Sequence, residues 1–418
     1  MFSDYRGIPR QAKLLIYLSF IPNVAIGFLY TDLVYFLVQF KGIAPTPAGL
    51  VITVIGATLA IEGIPMGILA DRFGRRRLLV LGNLCASLSL IGFALTSNLI
   101  LILMVAILQG TGEAAYAVSV FALLAEKATN EKRTPAFSLL NSLGWIASAL
   151  GSAAISSVNL FENIGLGLGQ AHVLLFVVVG LLNLLVTVLI LLGVSEGTTY
   201  ERTEGILPRK SGGVLVRFLV YSTLIALGAG LFVNSMTFWF LAAYGVPDSV
   251  SGPVLGLMSL LTAGVVFMSP RLARRFGLVK ATVMTQGPAI LLMVAVPLSP
   301  TFAISATVYI LRFFLSNLSG PLTQSLLMGL VAPEERGKAA GITASFVRLP
   351  NGMSATVGLT LIGQGLLALP FYIAAVIYVV AIGFFWVLFR NARVPEELVK
   401  ESQVSVQSSS FEGPVTER

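Results

Sequence analysis

Five ionisable side chains lie inside long apolar stretches of this sequence, where a charge is costly. Three are acids, Asp32, Glu62 and Glu113, and two are arginines, Arg312 and Arg348. A charged group at the depth of a membrane costs about 2.5–3.5 kcal/mol on insertion scales, so it usually faces a cavity and has a task. Desolvation favours the neutral form of a buried carboxylate and a nearby cation favours its charged form, so such a group can take up and release a proton.

These residue types predict two kinds of chemistry. The proton-coupling candidates are the acids Asp32, Glu113 and Glu62. A guanidinium pairs bidentately with a carboxylate, and amide and phenol groups form hydrogen bonds. The substrate-binding candidates are therefore Arg312, Arg348, Gln109, Tyr30 and Asn234. The alternative for each charged group is a static salt bridge with one of the two arginines, or a hydrogen bond between packed helices.

Twelve apolar segments position these residues. The chain has 418 residues, 56% of them hydrophobic, and a mean hydropathy of +0.90. A helix needs roughly 20 mainly apolar residues to span a bilayer. We therefore predict an all-α membrane protein with twelve transmembrane helices. The predicted spans are 14–40, 47–70, 78–96, 99–125, 136–158, 171–194, 214–243, 251–270, 281–299, 302–330, 340–363 and 366–390.

The positions of the charged residues, and the small number of residues that could bind a metal, limit the classes of protein to which this chain can belong. Nearly all of the 27 Lys and Arg residues fall on one side when successive spans alternate in direction. This asymmetry predicts a multi-pass protein of the cell membrane with both termini in the cytoplasm. Because it spreads the basic residues along a membrane face, we expect no nucleic-acid partner. The single histidine, His172, cannot build a zinc site by itself. We expect it to be interfacial, or alternatively a pH sensor, and we expect no metal, no cofactor and no enzyme activity.

A short motif occurs twice. LADRFG, which starts at Leu69, returns as LARRFG, which starts at Leu272, 203 residues later. The same offset relates Arg133 to Arg336. Two matches at one spacing indicate an internal repeat. We predict two pseudo-symmetric six-helix bundles, 1–194 and 214–393, with a polar linker at 195–213 and a disordered cytoplasmic tail at 394–418.

The first copy of the motif carries a family resemblance. GILADRFGRRRLLVLG, which begins at Gly67, resembles the loop signature between the second and third helices of major facilitator superfamily transporters. The resemblance implies that this loop is a cytoplasmic gate latch, in which Asp71 faces the start of the eleventh span near Lys338–Ile342. The residues assigned to the latch are Gly67, Asp71, Arg72, Gly74 and Arg75.

The resemblance also implies which side chains reach the transport path. The first, fourth, seventh and tenth spans line the path in this superfamily, so Asp32, Glu113 and Arg312 are expected to reach the cavity. Gln109 and Arg312 correspond at the offset of 203, so we expect them to face each other across the pseudo-twofold axis.

The resemblance implies a secondary active transporter that works by alternating access and is powered by a proton gradient. One reading is efflux of amphipathic compounds, or multidrug-type antiport, although Ser152 stands where such antiporters usually have a proline. The alternative is proton-coupled symport of a small organic anion, such as a carboxylate or sugar acid, with Arg312 and Arg348 as counter-charges. A remote alternative is a non-transporting sensor on the same fold. The expected partners are a small-molecule substrate, protons and the lipid bilayer, and the expected state is a monomer.

Overall fold

The computed structural model describes residues 7–129, 132–196, 210–332, 335, 339, 342–343 and 346–392. The regular elements in those ranges are helices. Most of the predicted linker 195–213 and the whole predicted tail 394–418 lie outside the described residues.

The helices of the first half are long because their sequences offer apolar residues with few breaks. A 3₁₀ turn at Ile155–Ser157 connects two of them. In chain order they are α1 (Arg10–Leu18), α2 (Phe20–Gln39), α3 (Pro45–Phe73), α4 (Arg75–Leu95), α5 (Leu99–Lys127), α6 (Arg133–Ala154), α7 (Val158–Asn163) and α8 (Leu168–Gly193).

The helices of the second half include several that are interrupted. A 3₁₀ turn at Val233–Ser235 interrupts the span that begins with α9. In chain order they are α9 (Gly212–Gly230), α10 (Met236–Tyr244), α11 (Asp248–Ala263), α12 (Val265–Phe276), α13 (Leu278–Ala295), α14 (Phe302–Leu330), α15 (Arg348–Gly363) and α16 (Leu369–Phe389).

Two glycines with positive φ interrupt the helices at matching points of the repeated motif. Gly74 follows α3 with a φ of 102°, and Gly277 follows α12 with a φ of 76°. Glycine adopts such angles readily because it has no β-carbon to collide with the backbone. Both copies of the motif therefore end a helix at their glycine.

The structure confirms the multi-span helical architecture but does not reach the predicted count of twelve. Ten helices of the described residues are long and apolar enough to span a membrane, or eleven if the pair bent by 53° at residues 264–267 forms one span. The predicted span 340–363 is represented by α15, whose 16 residues are too few to cross alone. Several residues just before α15 lie outside the described ranges. The predicted break near Leu366 is present, since α15 ends at Gly363 and α16 begins at Leu369.

The helix bundle has two ends. We call the end with the turns at 40–44, 245–247 and 364–368 the distal end, and the end with Gly74 and Gly277 the proximal end. One buried apolar cluster in the distal part contains residues of both halves, including Phe28 and Phe232. Toward the proximal end the described halves have separate buried clusters, one around Leu124 and one around Phe385. The two halves therefore share a core at the distal end and part toward the proximal end.

Small residues allow the helices within each half to approach closely. A β-carbon added at Gly27 of α2 would overlap the backbone of Ser148 in α6, and one added at Gly230 of α9 would overlap the backbone of Asn351 in α15. The members of these two pairs are again 203 positions apart (Gly27 to Gly230, Ser148 to Asn351).

Small residues also form the contact between the halves at the distal end. A β-carbon added at Gly256 of α11 would lie 2.7 Å from the carbonyl oxygen of Ala149 in α6. On the other side of the bundle the Thr53 hydroxyl of α3 donates a hydrogen bond of 2.6 Å to the carbonyl oxygen of Gly352 in α15. These seams close the distal end.

Candidate functional site

A cavity of about 200 Å³ lies between the two halves. We call it the central cavity. The first half contributes hydroxyl groups, including those of Tyr30 and Thr31, and the second half contributes the amide of Asn234. Its apolar lining includes aromatic and methionine side chains, among them Phe313 and Met258. The described residues that line the cavity are uncharged, so the cavity suits a substrate that combines polar and apolar groups.

Three of the predicted site residues form one hydrogen-bonded group in the first half, which we call the Glu113 network. The Tyr30 hydroxyl of α2 lies 2.9 and 3.0 Å from the two carboxylate oxygens of Glu113 in α5. The Gln109 amide, one turn before Glu113, donates to Glu113 Oε1 at 2.9 Å, and Ser89 of α4 donates to Gln109 Oε1. Glu113 is buried, and these donors satisfy a carboxylate in its charged form.

Tyr30 connects this network to the central cavity. Its side chain lines the cavity and its hydroxyl reaches Glu113, whereas Glu113 itself lines a second and much smaller pocket inside the first half. The expectation that Glu113 reaches the cavity therefore needs a correction, because the tyrosine stands between them.

Arg312 is also set back from the central cavity. It is buried in α14, and its guanidinium carbon lies 4.8 Å from the ring centre of Phe232 and 5.3 Å from that of Tyr378. Such stacking is a favourable cation–π contact. Its Nε and Nη2 have no hydrogen-bond partner among the described residues. Gln109 turns to Ser89 and Glu113, so each side chain packs within its own half and the predicted facing of Gln109 and Arg312 is not observed.

The other candidates occupy separate places. Asn234 lines the central cavity and donates from Nδ2 to Oδ1 of Asn351 at 3.0 Å. Arg348 begins α15 with an exposed side chain, and its carbonyl oxygen packs against Gly56 of α3. Glu62 of α3 is partly buried, and its Oε2 has no hydrogen-bond partner among the described residues. The roles assigned to all three residues stay predictions.

The residues of the predicted latch contact the first half. Asp71 forms a 3.1 Å ion pair with Arg75, which also pairs with Glu126 at the end of α5. The Gly74 backbone lies against the carboxylate of Glu196, which accepts a 2.9 Å hydrogen bond from the Arg76 amide.

The region expected to face Asp71 lies partly outside the described residues. Lys338, at the start of the region expected to face Asp71, lies outside the described residues. Arg72 is exposed and Gly67 lies within α3. The latch role of this loop stays a prediction.

Asp32 belongs to a cluster at the distal end that the sequence did not predict. Its Oδ2 lies 3.0 Å from Nδ1 of His172 in α8, and Nε2 of the same ring lies 3.3 Å from Oδ2 of Asp248 at the start of α11. The three side chains, which we call the distal cluster, are buried, and one donor atom from each lies within 4.8 Å of the others. These are residue types that bind metal ions, and they come from both halves of the chain.

The distal cluster lies beside an aromatic shell. The ring centre of His172 lies 4.6 Å from that of Phe40, 6.0 Å from Phe36 and 6.1 Å from Tyr35. Lys41 covers the outer side of Phe36 with its ammonium 5.2 Å from the ring centre, and partial burial lowers the pKa of that ammonium. This shell separates the cluster from solvent at the distal turn.

Sequence reasoning missed Asp248 because it precedes the predicted span 251–270 and stands in a polar turn. The first residue of a helix can still be buried when neighbouring helices extend past it. His172 was expected at the membrane interface, whereas the structure buries it. A usable signal was present, since Asp32, His172 and Asp248 all lie at distal ends of predicted spans. Our expectation of no metal rested on counting histidines alone.

Two helical halves that share a core at one end, part toward the other and enclose a polar cavity define a membrane transporter. The family model of the Major Facilitator Superfamily matches residues 15–355. The chain therefore belongs to this superfamily, and the resemblance seen in the loop motif is confirmed.

Similar proteins are distant in sequence. The uncharacterized membrane protein YJR124C of Saccharomyces cerevisiae is 24% identical over 316 residues, which are 65% of this chain and 70% of the relative. A bacterial homologue of the human lysosomal transporter Spinster, inward-facing and occupied, matches with a TM-score of 0.74 and 16% identity over 91% of this chain and 96% of its own. The POT family transporter PepTSo matches with a TM-score of 0.74 and 14% identity over 91% and 98% of the two chains. The TM-scores of the two solved structures show the shared fold.

Proposed function

We propose that the protein is a proton-coupled secondary transporter that exports a small amphipathic compound by alternating access. The observation that carries this proposal is the position of Tyr30, which lines the central cavity and hydrogen-bonds to the buried Glu113. The Tyr30 hydroxyl thus stands between a substrate in the cavity and a group that can bind a proton.

The Glu113 network supplies a mechanism for coupling. With the Tyr30 hydroxyl and the Gln109 amide both donating to it, the Glu113 carboxylate is stable in its charged form. A cationic substrate that binds beside the Tyr30 hydroxyl is attracted by the charged carboxylate one side chain away. A proton on Glu113 would cancel this attraction, so proton and substrate exclude one another, as export in exchange for protons requires.

The arrangement of the halves supports alternating access. The halves share a core at the distal end and have separate cores toward the proximal end, as expected of one end state of a rocking motion. The offset of 203 residues between equivalent contacts supports the division into two bundles, 1–194 and 214–393.

The cavity lining supports an amphipathic substrate that is neutral or cationic. The lining residues are uncharged and include aromatic and methionine side chains, which pack against apolar groups of varied shape. Solved structures of this fold include a nucleoside transporter, a peptide transporter and an organic anion transporter, so the fold does not select the substrate.

Symport of a small organic anion is the second candidate. The observation that favours it is Arg312, whose Nε and Nη2 lack hydrogen-bond partners among the described residues. A carboxylate would supply both acceptors at once. For this to occur the ring of Phe232 would have to move from its place beside the guanidinium, where the ring centre lies 4.8 Å away. Arg348 would be the second counter-charge.

The membrane setting is part of the proposal. Nearly all Lys and Arg residues fall on the proximal side. We therefore place the protein in the cell membrane with its proximal side and both termini in the cytoplasm. We propose that the protein works as a monomer and is not an enzyme.

Transport by the purified full chain in proteoliposomes tests the proposal. An imposed pH gradient should drive accumulation of lipophilic cations or neutral amphipathic dyes. Glu113→Gln keeps the size of the side chain and removes the titrating group, so it should abolish gradient-driven accumulation while leaving exchange at equal pH. Glu162→Gln, which alters an exposed acid in α7, is the matched control and should behave like the unaltered protein.

The same assay separates the two candidates. Accumulation of organic acids that is lost in Arg312→Gln would establish anion symport and overturn the amphipathic substrate. Accumulation that keeps its dependence on the pH gradient in Glu113→Gln would remove Glu113 from coupling. A chain that moves none of these compounds in any gradient would favour the sensor.

A further inference from the structure

We propose that Asp32, His172 and Asp248 form a binding site for a divalent cation of the zinc class, which joins the two halves at the distal end. The site would be occupied by a resident ion and is separate from the central cavity and from Glu113. The inference goes beyond the proposed transport function and does not depend on it.

The contact between His172 and Asp248 has the geometry of two ligands of one ion. Nε2 of His172 lies 3.3 Å from Oδ2 of Asp248, yet that oxygen has no hydrogen-bond partner among the described residues. The two atoms are therefore close without the alignment that an N–H donor needs. Two ligand atoms at about 2.1 Å from a tetrahedral ion lie about 3.4 Å from each other. The observed separation fits that arrangement.

Asp32 provides the support that a metal-binding histidine needs. Its Oδ2 lies 3.0 Å from Nδ1 of His172 in good hydrogen-bond geometry, so Nδ1–H can donate to it and leave the lone pair of Nε2 free for an ion. A carboxylate behind the histidine is the usual way to fix its tautomer and ring orientation. The other oxygen of Asp32, Oδ1, has no hydrogen-bond partner among the described residues.

The charge of the cluster favours a divalent ion. The side chains are at most 4% exposed, and both acids, when ionised, would place two negative charges beside one neutral imidazole. Burial of uncompensated charge is strongly unfavourable. Among the described residues, the ion pairs of Asp32 and Asp248 are with His172. A divalent cation would balance both charges, whereas a proton on the imidazole would balance one.

The donor atoms and the surrounding groups narrow the choice of ion. One imidazole nitrogen with carboxylate oxygens suits zinc and neighbouring first-row metals, whereas calcium and magnesium prefer oxygen ligands alone. Tyr35, the titratable group whose ring lies 6.1 Å from His172, interacts electrostatically with both acids. It is a neutral phenol and does not balance their charge.

Because of where the site lies, a bound ion would affect how the two halves are held together. Asp32 on α2 and His172 on α8 belong to the first half, and Asp248 on α11 belongs to the second. An ion bound by His172, with Asp32 behind it, and by Asp248 therefore ties the halves together where they already share a core. Because ligands stabilise the state that binds them, the ion should favour the form closed at the distal end.

Metal binding to the purified full-length protein tests the inference. After treatment with a chelator and dialysis, the protein in detergent at neutral pH is titrated with Co²⁺, whose visible spectrum reports nitrogen and oxygen ligands, and then with Zn²⁺. We expect one Co²⁺ for each chain, displacement by Zn²⁺, and a rise in the thermal unfolding temperature with Zn²⁺. Asp248→Asn and His172→Gln should lose the spectrum, and Asp32→Asn should weaken affinity by roughly 10–100-fold.

The controls keep the result open to refutation. Glu162→Gln, an exposed acid near the same end, should bind the ion as the unaltered protein does. If Asp248→Asn does not fold, the chelator-treated unaltered protein and Asp32→Asn still give the comparison. Absence of binding at 1:1 stoichiometry, or binding that survives both Asp248→Asn and His172→Gln, would overturn the site. Detection of a protonated His172 that is indifferent to added Zn²⁺ would assign the cluster to protons instead.

Discussion

The seam between α6 and α11 gives the sharpest prediction, because one methyl group can disturb it. A β-carbon placed on Gly256 would lie 2.7 Å from the carbonyl oxygen of Ala149 and 3.3 Å from the amide nitrogen of Ala153. Real β-carbons keep more distance than 3 Å from backbone oxygen, so α6 and α11 must move apart in Gly256→Ala. If the halves separate at this end during transport, the substitution costs nothing in the opened form. It should therefore shift the balance away from the form described here.

The size of the shift follows from the cost of overpacking. An extra methyl group in a close contact costs about 1–3 kcal/mol. Because the cost falls on one of the two forms, the ratio of their populations should change roughly 5- to 150-fold. Alanine also favours a helix over glycine by about 1 kcal/mol, but this gain is the same in both forms and cancels.

Distances between spin labels on the proximal side measure the shift. Cys85 is the single native cysteine, so a Cys85→Ala background allows labels on Arg77→Cys at the start of α4 and Arg274→Cys in α12, both exposed positions. When the distal end opens, the proximal ends of the two halves approach each other. We expect Gly256→Ala to increase the population with the shorter distance.

A second glycine provides the matched control. Gly287 lies inside α13, and a β-carbon added there would meet nothing within 4 Å. Gly287→Ala makes the same chemical change without the clash, so its distance distribution should match that of the parent. Equal distributions in Gly256→Ala and the parent would refute the claim that this seam holds the distal end closed.

Three further substitutions test other parts of the structure. Tyr30→Phe removes a hydrogen bond to a charged group, which is worth about 1.5–3 kcal/mol. Proton-coupled accumulation in proteoliposomes should therefore fall by roughly tenfold or more. Unchanged accumulation would argue against the link through Tyr30. Asn98→Ala removes the side chain that accepts from two amides at the start of α5, which should cost about 1 kcal/mol and lower the thermal unfolding temperature in detergent. Arg75→Gln frees Glu126 from its ion pair, and we expect it to slow turnover while leaving substrate affinity, measured by equilibrium binding, unchanged.

The sequence predicted the helices well because hydrocarbon imposes a simple requirement on length and polarity. The predicted break near Leu366, between the spans 340–363 and 366–390, occurs. The bend between α11 and α12 and the 3₁₀ turn at Val233–Ser235 were not predicted. Both depend on how the helices pack against one another, and the apolar content of a segment carries no information about that packing.

The candidate site shows a different limit. The rule that charge in a span has a task singled out five residues. Three of them, Asp32, Glu113 and Arg312, are buried in the structure, whereas Glu62 is partly buried and Arg348 is exposed. The rule could not tell which direction each side chain takes, because rotation of a helix by less than one turn decides between a cavity and a neighbouring helix. For this reason the expected meeting of Gln109 with Arg312 is absent, and the contact between Tyr30 and Glu113 was not foreseen.

The structure places the buried charges behind the lining of the cavity. In the first half Tyr30 separates Glu113 from the cavity, and in the second half Arg312 stacks on Phe232, which lies beside the cavity-lining Tyr309 at a ring-centre distance of 6.3 Å. A charge held one side chain away still acts electrostatically across a medium of low dielectric constant. The substrate therefore needs no complementary charge, because the uncharged side chains that line the cavity make the direct contacts. Recognition of the substrate and binding of the proton can therefore use different atoms, and Tyr30, which contacts both, is the residue through which each can change the other.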